Sequence, residues 1–298
     1  MDIAKEIATR AADIEQRIQT YLPKVEGYQH TIFEAMAYSV TAGGKRLRPM
    51  LMEASYEMFG GTDPKVVEPF MAAIECIHTY SLVHDDLPEM DDDAYRRGKL
   101  TTHKQFGQAM GVLAGDALLN YAFEIVAKAL VTQAGEAKAA KAFEVLARKA
   151  GVYGMIGGQV VDVESEKKNE TVERERLDFI YRLKTGALLE ASLMVGAILA
   201  GADDAQVKKM EEAGTKLGLA FQIQDDILDV TSTVEVLGKP IGSDEKNQKA
   251  TYVSFEGMDK AKQDVALFSE EAVAILEECS GEHAFLRELF LYLIHREK

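Results

Sequence analysis

Cysteine, proline and strand-like alternation are all scarce in this chain. Its two cysteines, Cys76 and Cys279, belong to no motif. They exclude a disulfide scaffold and fit a reducing compartment. Six prolines in 298 residues leave room for long uninterrupted helices. Runs that alternate apolar and polar side chains are nearly absent, which argues against sheet. Cations are in deficit too: 34 Lys and Arg against 49 Asp and Glu give a formal net charge of −15. Such a field repels phosphate backbones, so nucleic acid is not an expected partner. An anionic substrate must then be held by local cations or by metal ions. The most apolar stretch, ASLMVGAILAGA at 191–202, is bounded by Glu190 and Asp203. It falls short of the roughly 20 residues that span a bilayer. The N-terminal stretch MDIAKEIATRAADIEQRIQTYL carries charges throughout and lacks a signal-peptide core. A soluble, cytoplasmic protein without a transmembrane segment is expected. Repeats, linkers and low-complexity tracts are also missing, so a single domain over 1–298 is expected.

What is present is helical spacing. It runs through EPFMAAIECIHTYSLVHDD (68–86), LDFIYRLKTGALLEASLMVGAILAGA and MEEAGTKLGLAFQIQDDILDV. GVLAGDALLNYAFEIVAKAL (111–130) is apolar nearly all round, which predicts burial between helices or against a second subunit. Breakers at Gly43-Gly44, Gly60-Gly61, Gly157-Gly158, Gly201 and Gly238-Lys239-Pro240 mark expected loops. The spacing predicts an all-α protein of ten or more helices.

Against this background HDDLPEMDDD is costly, with six acidic residues between 85 and 93. A second cluster stands in FQIQDDILD, where Asp225 and Asp229 are i and i+4 and share a helix face, with Asp226 beside it. A solvated helix end would explain either cluster alone. Both, however, begin with Asp-Asp at the end of an apolar helical run. Hard divalent cations take oxygen ligands, and Mg2+ commonly uses one or two carboxylates plus water and substrate phosphates. Two carboxylate walls with a diphosphate between them would account for the pattern. In the first cluster four residues separate Asp86 from Asp91, and Pro88 removes a backbone donor. A kink or bulge there would carry Asp91 or Asp92 toward the metals.

Cations follow at GGKRLRP (Lys45, Arg46, Arg48) and at YRRGK (Arg96, Arg97, Lys99). Each run alone reads as a solvated basic turn. Beside two acidic walls, a second, metal-free diphosphate site is the better account, since Arg grips phosphate with a planar fork and Lys as a point charge. His78 precedes Asp85 by two helical turns, a position more often filled by a core histidine. Lys184-Thr185 interrupts an apolar run just before Gly186, and Lys239 lies in a loop after the second cluster. No nucleophile–base pair is evident.

Taken in order, GGKRLRP, HDDLPEMDDDAYRRG, GGQVVDV, KTGALLEAS, FQIQDDILD and GKPIGSD resemble the trans-isoprenyl diphosphate synthases, closely the short-chain bacterial farnesyl diphosphate synthases, from about residue 25 to 298. The resemblance implies the type I isoprenoid synthase fold, all-α around a central cavity, with the two acidic motifs on opposite walls. By position it implies Asp85, Asp91 and Asp225 as ligands of three Mg2+ ions, supported by Asp86, Asp92 and Asp229. Asp92 and Asp229 also stand as candidate metal ligands, and Asp226 joins the catalytic set. Arg96, Lys184 and Lys239 would bind the allylic diphosphate. Lys45, Arg48, His78 and Arg97 would bind isopentenyl diphosphate. Thr185 and Gln222 would lie near the developing carbocation. The family is usually homodimeric. The motif Gly-Lys-x-Thr-Tyr-Pro is altered here, with Gln248 in the glycine position and Val253 in the proline position, while Lys249, Thr251 and Tyr252 match.

Product length turns on Tyr80, five residues before Asp85 and about 7.5 Å along a helix axis at 1.5 Å per residue. Its ring could serve as a floor for the hydrocarbon tail, with the small Ser81 beside it. In the family an aromatic here, with the two-residue insertion in the first motif, accompanies the C15 product. Farnesyl diphosphate made from isopentenyl, dimethylallyl and geranyl diphosphates is therefore expected. A C20 geranylgeranyl product is the alternative within the family. A non-catalytic helical partner subunit is the alternative outside it, disfavoured because both acidic motifs are intact.

Overall fold

The computed structural model describes residues 2–132, 137–168, 173–231 and 251–294, the side chains of 166–168 excepted. The chain divides into two compact units, Met1–Glu53 with Thr62–Ala140 and Ala54–Gly61 with Lys141–Lys298. In chain order the helices are α1 (Ile3–Gln19), α2 (His30–Val40), α3 (Leu47–Met58), α4 (Pro64–Asp85), α5 (Thr102–Phe106), α6 (Gln108–Thr132), α7 (Ala137–Ala150), α8 (Met155–Lys168) and α9 (Arg174–Ile180). A π-helical turn (Tyr181–Gly186) follows, then α10 (Ala187–Ala200), α11 (Asp204–Thr231), α12 (Tyr252–Glu256), α13 (Met258–Glu277) and α14 (Ala284–Ile294). The all-α expectation holds.

One hairpin departs from it. Strands β1 (Tyr95–Arg96) and β2 (Lys99–Leu100) pair antiparallel, with Tyr95 opposite Leu100 and Arg96 opposite Lys99. Its loop, Arg97-Gly98, has φ +53° and +77°. Two positive φ values in a two-residue loop match the twist of the flanking strands. Strands of two residues are too short to show alternation in sequence.

In the first unit α4 forms the core. Asp63 caps it by accepting from the Lys65 amide at 3.0 Å, and Pro64 starts it. Phe70, Met71, Ile74 and Ile77 are fully buried along it. In the second unit every residue of 187–199 is buried, so α10 is a core helix, its one charged side chain, Glu190, being held by Lys149 and Thr215. It ends where Gly201 takes φ +93°. The amides of Gly201 and Ala202 bond back to Ile198 and Ala197, both at 3.0 Å, which satisfies the last carbonyls.

Three helical stretches are long and apolar enough to cross a membrane by composition: Pro64–Asp85, Gln108–Thr132 and Arg174–Ala200. The first and third bury 72% and 78% of their apolar window inside the protein, so packing already uses that character. Along α6 the all-round apolar pattern is only partly covered, leaving Val112 and Leu113 exposed.

Gly157 and Gly158, read as a breaker, lie inside α8. A Cβ on Gly158 would overlap the backbone of Lys184. The glycine therefore serves close approach between α8 and the π turn, not a loop. Gly238-Lys239-Pro240 lies outside the described residues.

Candidate active site

The first unit builds an acidic half from 85–93 and a basic half from the runs at 43–48 and 96–99. Helix α4 stops at Asp85. Beyond it the chain doubles back: the amides of Asp86, Leu87 and Met90 bond to Leu82, His84 and Leu87. The Asp91 amide then reaches the Asp85 carbonyl at 2.9 Å. The bulge expected around Pro88 is thus a loop that brings Asp91 against the end of the helix. Asp91, Asp92 and Asp93 are exposed, while Asp86 is 3% exposed.

The four carboxylates are not equivalent. Asp86 is gripped by Arg96, whose Nε donates to both oxygens at 2.8 and 3.0 Å and whose Nη2 stands 2.6 Å from Oδ1. Burial pushes the Asp86 carboxyl up from its usual range, and the Arg96 bonds pull against that shift. Asp92, at φ +50°, turns toward Lys104 at 3.2 Å and faces His103 Nε2 at 3.8 Å. Arg96, expected on an allylic diphosphate, is placed on Asp86, with Asp93 3.7 Å from its Nη2.

On the basic side the two cationic runs meet. Arg97 donates to the Gly43 carbonyl, and its guanidinium fills the space a Cβ on Gly44 would need. Arg46 is buried and structural: it pairs with Glu75 at 2.5 Å and donates to the Val40 carbonyl at 2.6 Å. Arg48 and Arg97 remain near His78. Burial pushes the Arg48 guanidinium down to about 10, Glu75 opposing and Arg97 adding to the shift. Burial, then the charges of Arg48, Arg97, Arg96 and Arg46, hold the His78 imidazole well below its usual range. That concentration of positive potential suits an anion. Lys45 is exposed at its edge. Among the described residues the non-glycine positive φ values are Arg46, Asp92 and Arg97, all in these loops. Backbone strain of this kind gathers at working sites.

Tyr80 is 6% exposed, edge-on to His84 with ring centroids 5.8 Å apart. Burial, then Asp85, push its hydroxyl up to about 12. Beside it the Ser81 hydroxyl is spent on the His78 carbonyl at 2.9 Å.

The second unit carries the other motif on α11, near the π turn. Lys184, the fourth residue of that turn, holds Asp162 at 2.5 Å. The Thr185 hydroxyl donates to Gln222 Oε1 at 2.8 Å. A Cβ on Gly218 would lie 2.9 Å from the Gly186 Cα, so the π turn and α11 approach through glycine. Asp229 and Asp226 are both 4% exposed, and Asp225 is half-buried. Asp226 Oδ2 accepts from the Tyr181 hydroxyl at 2.5 Å and from the Tyr252 amide at 2.7 Å. Thr251 caps α12 with a reciprocal Ser254 bond, which seats Tyr252 at the start of that helix with Val253 after it, while Gln248 and Lys249 lie outside the described residues. Lys239 lies outside the described residues.

Several participants escaped the sequence reading. Asp162 stood inside the noted GGQVVDV without a role. Glu75, His103 and Tyr181 had no motif signal, since each acts through a partner distant in sequence.

A profile of the polyprenyl synthetase family matches residues 29–285. The farnesyl diphosphate synthase of Geobacillus stearothermophilus is 44% identical over 92% of this chain and 91% of its own. The geranylgeranyl diphosphate synthase of Cyanophora paradoxa is 46% identical over 87% of this chain and 85% of its own. Among solved structures, an apo FPP/GFPP synthase from Zymomonas mobilis superposes with TM-score 0.86 at 33% identity, covering 98% and 99% of the two chains. A geranyltransferase from Helicobacter pylori, complexed with magnesium and isoprenyl diphosphate, gives 0.84 at 31% identity, covering 99% and 97%.

Proposed function

The chain belongs to the polyprenyl synthetase family, and from that premise we propose that it is a farnesyl diphosphate synthase. It condenses isopentenyl diphosphate with dimethylallyl and then geranyl diphosphate to give the C15 product. The observation that carries the product length is Tyr80, a buried ring on α4 between the core and Asp85. We assign 1–298 as one catalytic domain, because the family match crosses both units. The protein acts as a soluble cytoplasmic enzyme and a homodimer, a state that would cover the exposed Val112 and Leu113.

The donor chemistry fits Mg2+. Asp85, Asp91 and Asp225 offer hard carboxylate oxygens. Among the described residues no three His, Cys, Asp or Glu side chains gather to form a complete protein cage. Water and substrate phosphate would fill the remaining positions, as Mg2+ prefers. Three ions held there, with Asp92 and Asp229 as further carboxylates, would supply charge neutralisation to the departing diphosphate. The chain's own groups do the rest. Lys184, Arg96 and Lys239 bind the allylic diphosphate, which requires Arg96 to share its guanidinium with Asp86. Lys45, Arg48, Arg97 and neutral His78 hold the diphosphate of isopentenyl diphosphate and aim its double bond. The Thr185 and Gln222 oxygens face the allylic cation, and the released diphosphate takes the proton.

A C20 product is the second reading, favoured by the 46% identity to a geranylgeranyl synthase and by the small Ser81 next to the floor. The deciding experiment supplies isopentenyl diphosphate and Mg2+ with dimethylallyl, geranyl or farnesyl diphosphate separately, and sizes the product alcohols. Farnesol from the first two, with farnesyl diphosphate inert, is expected. Geranylgeraniol as main product would overturn the C15 assignment. No elongation from any primer would overturn the synthase reading in favour of a non-catalytic subunit.

A further inference from the structure

Asp226 has the sequence position of a catalytic aspartate and the surroundings of an anchor. Successive residues on a helix point about 100° apart, so Asp226 lies off the face shared by Asp225 and Asp229. Its Oδ2 accepts from the Tyr181 hydroxyl at 2.5 Å and the Tyr252 amide at 2.7 Å, and that amide also stands 3.2 Å from the Tyr181 oxygen. All three residues are buried, at 4%, 6% and 3% exposure. A buried carboxylate is tolerated only when donors compensate it. Here the donors come from two other elements, the first residue of the π turn and the first residue of α12.

A second rung lies one turn away. Thr185 bonds Gln222, and both pairs are spaced i,i+4 on their own helices. The π turn carrying Lys184 is therefore lashed to α11 at Tyr181 and at Thr185. A π turn is an unfavourable insertion that persists where tertiary contacts fix it. Tyr252 is held at its far end as well: its hydroxyl donates to Asp264 at 2.6 Å, and the Arg174 guanidinium stacks 4.2 Å over its ring.

We propose that Asp226 is a positioning residue, which with Tyr181 locks the π turn and the start of α12 onto α11 and so sets Lys184 and Thr185 for the allylic substrate. This rests on the prenyl-transfer reading above. The test uses the full chain carrying Y181F, D226A or D225N, with each substrate and Mg2+ varied in turn. Y181F and D226A each lower kcat about 10-fold or more and raise the allylic KM, within the 10–100-fold range for residues that orient site groups. The KM for isopentenyl diphosphate and the Mg2+ concentration at half-maximal rate stay within about twofold, because no ligand of either is touched. The double variant loses no more than the worse single one, since both break one lash. D225N instead raises the Mg2+ requirement by about tenfold or more.

A Mg2+ requirement that rises in D226A as it does in D225N would make Asp226 a ligand and overturn the proposal. Wild-type kinetics in Y181F would overturn it too. Y181F keeps the carboxylate and carries the test alone where D226A does not fold. Hydrogen exchange at the Tyr252 amide, read without substrate, must quicken in Y181F; unchanged protection would also overturn the lock. If D225N leaves Mg2+ dependence unaltered, the metal-dependent reading fails while the exchange result still judges the anchor.

Discussion

Tyr80 buries a hydroxyl that finds no hydrogen-bond partner among the described residues. That is a cost a phenylalanine would not bear, so Y80F should raise stability by about 1 kcal/mol, read as a higher Tm. The ring is unchanged in Y80F, so farnesol should remain its product. Y80A removes the floor, and its product alcohols should lengthen to C20. A C15 product from Y80A would place the floor elsewhere. His78 makes a different prediction. Its imidazole sits well below the usual 6.5 because burial and four arginines disfavour the charged form. Between that lowered value and about 6.5 the unfolded chain binds the extra proton, so stability falls as pH falls, by at most about 1.4 kcal/mol per pH unit. H78N should flatten that acid limb; urea midpoints at several pH values between 5 and 7.5, compared with wild type, check it. An unchanged limb would mean His78 titrates normally. The acidic and basic runs were legible as candidates because their residue types and spacing announce charge chemistry, whereas His78 reads from its spacing as a core histidine and takes a role only from the family resemblance, and Arg46 of the basic run proves structural. Asp226 reads in sequence as one more aspartate of the catalytic set, and its anchoring does not show there. Its anchoring partners, Tyr181 and Tyr252, lie 45 and 26 residues away and carry no chemical signature of their own.

At the scale of elements, the helices were readable because apolar side chains at 3.6-residue spacing are forced by burial on one face. The exceptions have a common cause. Gly157-Gly158 reads as a breaker locally, yet tertiary approach to Lys184 keeps it inside α8. The 95–100 hairpin carries no period-2 signal, although it sets Arg96 on Asp86 and Arg97 on Gly43. The π turn is invisible for the same reason, since its register is set by α8 and α11. G158A tests the first case. The added methyl meets main chain, which cannot swing aside as a side-chain tip can, so α8 must move. A cost of about 1–3 kcal/mol is expected for such overpacking, seen as a lowered Tm. Because Lys184 moves with its backbone, the allylic KM should rise while the KM for isopentenyl diphosphate holds. Equal changes in both would point to general unfolding.

For the whole molecule the governing quantity is its net charge of −15. Cations are spent locally, and the buried Arg46 is already consumed by Glu75. A diphosphate approaching the acidic motifs without metal meets their repulsion, with Arg96 and Lys184 already tied to Asp86 and Asp162, and Mg2+ alone meets carboxylates too few to complete its shell. Each therefore needs the other, and thermal stability can show it. Mg2+ and inorganic pyrophosphate together, at about 100 times their dissociation constant, should stabilise the native state by about 2.7 kcal/mol. For a chain of this size, with an unfolding entropy of about 2.1 cal/mol/K per residue, that corresponds to a rise in Tm of roughly 4 °C. Either component alone should give much less, and chelation should reverse the gain. D85N should abolish the joint shift, while R48A, which alters only the metal-free site, should leave most of it. Pyrophosphate giving the full shift in the presence of a chelator would mean that the arginines around His78, and not the acidic motifs, dominate binding of this anion. The acidic clusters would then need another explanation for the electrostatic cost they impose on the fold.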